Sequence, residues 1–84
     1  MKQYLFTIQG AGVNPNGNVL LHVYAAWKNE EEQGWRNFSS DELKELNVGR
    51  VINGKCITTS MYCNELTERL LGEYGDACSF MYLF

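Results

Sequence analysis

Hydrophobic and polar positions alternate almost from the start of the chain. In YLFTI, Tyr4, Phe6 and Ile8 fall on one side and Leu5 and Thr7 on the other, a period of two that predicts a strand over residues 4–8. The run NVLLHVYAAW, residues 18–27, is longer and nearly continuous in apolar character. It sets Val19, Leu21, Val23, Ala25 and Trp27 on one face and Leu20, His22, Tyr24 and Ala26 on the other. That pattern predicts a strand inside the sheet, covered on much of both faces.

Between the two strands lies QGAGVNPNGN, with glycines at positions 10, 12 and 17. A phosphate-cradling glycine loop opens a helix, whose free N–H groups and dipole receive the anion. Here a strand follows, and no Gly-Lys-Ser/Thr sequence ends the loop. Pro15 pre-sets φ while Asn16 and Gly17 tolerate positive φ, so the segment reads as a hairpin connection.

After a polar interlude over 28–38 the period becomes helical. In FSSDELKEL, Ser39 as N-cap puts Glu42 at the third helical position, completing a capping box, and Phe38 with Leu43 supplies a hydrophobic staple. This helix is expected to end near Asn47 or Gly49. RVINGKCIT carries Asn53-Gly54 between apolar pairs, a type I′ turn signal, and predicts a third short strand folded back on itself. From Thr59 or Ser60 to Tyr74, residues Tyr62, Cys63, Leu66, Leu70 and Tyr74 line one helical stripe, with Leu71 at its margin. Glu65 and Arg69 are spaced as an i,i+4 pair, and Gly75 is a natural helix end. ACSFMYLF, residues 77–84, is apolar throughout and reads as a strand, either docked in the sheet or presented as an adhesive edge. The order β-β-α-β-α-β predicts one α+β domain spanning 1–84. It is a small two-layer sandwich, a mainly antiparallel sheet of four to five strands with two helices on one face.

Composition changes this picture little but narrows the function. At 45% hydrophobic and 20% charged residues with a single proline, the 84-residue chain has the balance of a folded domain. Net charge is −3, and the seven bases are scattered with none adjacent, which argues against direct nucleic-acid binding. Three cysteines, Cys56, Cys63 and Cys78, form an odd set without a CxxC pair, so reduced, buried thiols and a cytoplasmic setting are expected. The apolar run near the start is too short for a signal-peptide core, and no run approaches membrane-spanning length.

Candidate chemistry is sparse. His22 is the only histidine, and nothing in the spacing sets a cysteine beside it as nucleophile and base. Cys56-x6-Cys63-x14-Cys78 lacks the paired spacings of structural zinc. Glu30, Glu31 and Glu32 form a run of the kind that normally faces water. Neither catalysis nor a cofactor or metal is expected. The segment that reads as a surface site is AWKNEEEQGWRNF, which gathers Lys28, Glu30, Glu31, Glu32, Trp35 and Arg36. Trp and Arg dominate binding energy at interfaces, and the glutamates suit a basic partner surface such as a nucleic-acid channel. The leading expectation is therefore a non-enzymatic interaction module that modulates a larger protein or protein–nucleic acid complex. Its size also fits a phage or mobile-element inhibitor of a host defence protein, such as an anti-CRISPR. A homo-oligomer assembled through an edge strand is the alternative. A single-stranded nucleic-acid binder, with Trp35 stacking a base, or a small enzyme ranks third.

Overall fold

The computed structural model describes residues 1–58 and 63–84. Strands β1 (Lys2–Val13) and β2 (Val19–Asn29) form a long antiparallel hairpin, paired from Lys2–Asn29 to Gly10–Leu21. At ~3.3 Å per residue, a strand of this length spans about 40 Å and sets the 44 Å long axis of the molecule. Both strands outrun the predicted segments. Gly10 and Gly12 therefore lie inside β1 and not in the turn. The register shifts between Gly10 and Val13, and Gly12 takes φ +107° at this irregularity. The turn itself is Asn14–Asn18, where Asn14 Oδ1 accepts from the Asn16 and Asn18 N–H groups at 3.0 Å each.

Four further strands follow: β3 (Arg36–Asn37), β4 (Arg50–Ile52), β5 (Lys55–Thr58) and β6 (Cys78–Leu83). The helices are α1 (Ser40–Leu46) and α2 (Cys63–Tyr74), and a single 3-10 turn, Gly75–Ala77, leads into β6. Sheet order is β4-β5-β2-β1-β6, with β3 beside β2. Every pair is antiparallel except β6 with β1, which run parallel. The fold is the expected α+β one, with six strands among the described residues in place of four to five. Residues 50–58 make two strands around Asn53 and Gly54, both at positive φ as a type I′ turn requires. The unforeseen strand is β3, too short to show a period.

One sheet face carries the core. Phe6, Ile8, Leu21, Val23, Ala25 and Cys56 pack there with Leu43 and Leu46 of α1 and Leu66 and Leu70 of α2. Burying each of these leucines contributes ~2 kcal/mol. The stripe expected for α2 holds at Leu66 and Leu70, with Cys63 and Tyr74 half-buried at its border. Tyr62 and the start of this helix lie outside the described residues. Among the described residues no helix covers the opposite face, where Tyr24 stands exposed. The central strand β2 is thus sealed on one side only, which corrects the expectation of cover on both.

The ends of α1 follow the sequence signals closely. Ser39 Oγ accepts from the Glu42 N–H at 3.2 Å, and the Glu42 carboxylate accepts from the Ser39 N–H at 3.0 Å. Asn47 closes the helix in the left-handed region, at φ 52°. Arg69 does not spend its charge on Glu65. Its Nη1 donates at 2.7 Å to the Asn47 carbonyl, joining α2 to the negative end of α1. The Cys56 thiol donates to the Leu43 carbonyl, one of the acceptors that the last turn of α1 leaves free.

Candidate functional site

The segment 28–38 takes in the end of β2, the hairpin tip at residues 30–35 that connects it to β3, and β3 itself. Its base is built on Trp27. The indole continues the core face of β2 opposite Tyr4, half-buried at the edge of the core. Lys2 Nζ lies 4.3 Å from the ring centroid and the Arg36 guanidinium 4.8 Å from it. Arg36 reaches this place because it pairs directly with Trp27 across the β2–β3 ladder. Two cations on one tryptophan are worth ~0.5–1 kcal/mol each at such exposed positions.

The tip is closed by Glu32. Its Oε1 accepts from Arg36 Nη2 at 3.0 Å and from Asn29 Nδ2 at 2.8 Å. Its backbone carbonyl accepts from Lys28 Nζ at 3.1 Å, and its N–H donates to the Asn29 carbonyl at 2.9 Å. One residue therefore ties both strands of the hairpin to its tip. Lys28 Nζ also lies 5.3 Å from the centroid of the Trp35 ring, which is 43% exposed. Trp35 is supported from within the hairpin and faces outward.

The six candidate residues thus divide. Lys28, Glu32, Trp35 and Arg36 form one connected cluster. Glu31 stands exposed at the tip, and Glu30, also exposed, lies with its carboxylate 3.9 Å from the Met1 ammonium. The three glutamates do not act as one acidic face, because Glu32 turns back to hold Arg36. Spacing gave no sign of this, since the partners of Glu32 are fixed by the hairpin register. Lys2 was not foreseen as a member. It joins Trp27 through the diagonal of the β1–β2 ladder, a relation invisible until the register is known.

The thiols and the histidine do not converge. His22 projects from the open face of the sheet, since its neighbours Leu21 and Val23 are in the core. Cys56, Cys63 and Cys78 all pack on or against the core side. Cys56 is buried; Cys63 and Cys78 are only half-buried, less enclosed than expected. Burial pushes all three thiols above their ordinary value, against the direction a nucleophile needs. Among the described residues no His, Cys, Asp or Glu cluster has the arrangement of a metal site. No described helix is long and apolar enough to cross a membrane. The chain matches no protein-family model, no curated protein and no solved structure.

Proposed function

We propose that this chain is a non-catalytic protein-binding module that docks on a larger macromolecule through the hairpin tip at 30–36. The observation that carries this reading is Trp35, a large aromatic held outside the core on a hairpin whose other members are mutually bonded. An anchor already ordered before binding costs little entropy when a partner closes over it. Arg36 and Lys28 serve chiefly as supports, their charges engaged by Glu32 and the two indoles. Glu31 supplies the steering charge, with a smaller share from Glu30, whose exposed carboxylate lies 3.9 Å from the Met1 ammonium, and a basic partner surface is the chemistry they suit. The narrower reading as an inhibitor of a host defence protein rests on small size and simplicity alone.

The test is capture by immobilised protein, comparing wild type with Trp35→Ala and with Glu30→Lys/Glu31→Lys. The partner retained by wild type is expected to be lost with Trp35→Ala, a cost of ~2 kcal/mol or more, while folding stays intact. The double charge reversal is expected to slow association more than it speeds dissociation. Retention unchanged by Trp35→Ala contradicts the proposal.

A further inference from the structure

The two edges of the sheet are finished differently. On one edge stand β3 and β4, only two and three residues long, carrying Arg36 and Arg50. Shortness and charge are the usual protections against pairing with a further strand. Strand β6, on the other edge, has neither. It is six residues long and, among the described residues, pairs with β1 alone. Residues 77–84, ACSFMYLF, contain no Asp, Glu, Lys, Arg or Pro. Met81, Tyr82 and Leu83 are 48%, 45% and 47% exposed and Phe84 79%. Together they leave on the order of 400 Å² of mostly apolar surface, shared between the two faces of the edge, beside a row of free backbone groups.

We propose that β6 pairs antiparallel with β6 of a second copy of this chain, about a two-fold axis normal to the sheet. The five-strand path of each copy then joins into one continuous sheet of ten strands. Self-complementarity identifies the occupant. Such an axis keeps the two faces matched, so the aromatic row Phe80, Tyr82, Phe84 lies beside the same row of the second copy, running the opposite way. Ring centroids along this row lie 6.3 and 6.3 Å apart. The open-face residues Ser79, Met81 and Leu83 meet their own kind likewise. With no charge on the strand, no like charges oppose one another when it meets itself, and none selects a foreign sequence. Pairing over the whole of 78–84 puts its middle residue, Met81, at the axis facing its own copy. The modest area gives a dimer that forms with rising concentration and not an obligate one.

Sedimentation from micromolar to near-millimolar protein tests this on wild type, Met81→Lys and Trp35→Ala. Wild type is expected to move from the 9.6 kDa monomer toward twice that mass. Met81→Lys sets two ammonium groups against each other at the axis and is expected to weaken the dimer by about tenfold or more. Met81 is half-exposed, so the lysine leaves the core untouched. Trp35→Ala, on the opposite edge of the sheet, is expected to dimerise as wild type does, which separates this interface from the hairpin. Amide exchange on wild type needs no variant. Alternate amides of 78–84 are expected to gain protection as concentration rises. Wild type that stays monomeric throughout, a dimer indifferent to Met81→Lys, or protection arising on another strand would overturn the proposal.

Discussion

A methyl group on Gly49 would run into the Ile57 carbonyl, where α1 hands over to β4 and the backbones approach closely. The neighbour is main chain, with no rotamer to move aside. Gly49→Ala is therefore expected to lower stability by ~1–3 kcal/mol, read from the urea midpoint. Gly10 presents the milder case: the Phe84 ring lies over it, and a flexible side chain can yield. Cys56 is fully enclosed, and burial pushes its thiol above the ordinary value of about 9. An acid that is weaker in the folded than in the unfolded state ionises first in the unfolded chain. Its contribution to stability is whole below the ordinary value and disappears as pH rises through the folded one. The unfolding free energy read from urea curves is expected to hold level through neutral pH and fall above about pH 9, at up to ~1.4 kcal/mol per pH unit for this group. In Cys56→Ala, starting from a lower midpoint, that alkaline fall is expected to be shallower.

Among the elements, α1 shows what a sequence can state outright. Ser39 and Glu42 bond to each other across three residues, so both halves of the capping box are local and legible. Ser39→Ala is expected to cost ~1 kcal/mol, measured by chemical denaturation. The type I′ turn at Asn53-Gly54 is legible for the same reason: its two residues alone decide it. What escapes such reading is set by non-local pairing. Strand β3 exists because Phe38 enters the core and draws Arg36 and Asn37 alongside β2, and two residues carry no periodicity. Arg69 chose the Asn47 carbonyl over Glu65 because α2 packs near the end of α1, which helical spacing does not encode. The glycines at 10 and 12 looked like turn residues but serve the sheet, one under Phe84 and one at an irregularity in the ladder.

At the scale of the molecule, a sheet covered on one face must present its remaining surface as loop, open face and edges. Chain order and the face of each strand follow from apolar alternation, which is why the α+β architecture could be read in advance. Sheet order could not, since β6 crosses to lie parallel to β1 at the edge, and only then does its apolar run become an exposed border. The hairpin and β6 occupy opposite edges, so the proposed docking at the tip and the proposed pairing of β6 would not exclude one another. The candidate site was half legible. Trp35 and Arg36 announced themselves by residue type, whereas the inward turn of Glu32 and the membership of Lys2 depend on register. The central claim is that the hairpin tip is the docking surface. Amide exchange of the partner complex against the free protein tests it most directly. The account predicts protection gained at residues 30–36, with β6 unchanged at equal protein concentration. Protection confined to other residues, with the tip exchanging as freely as before, would contradict it.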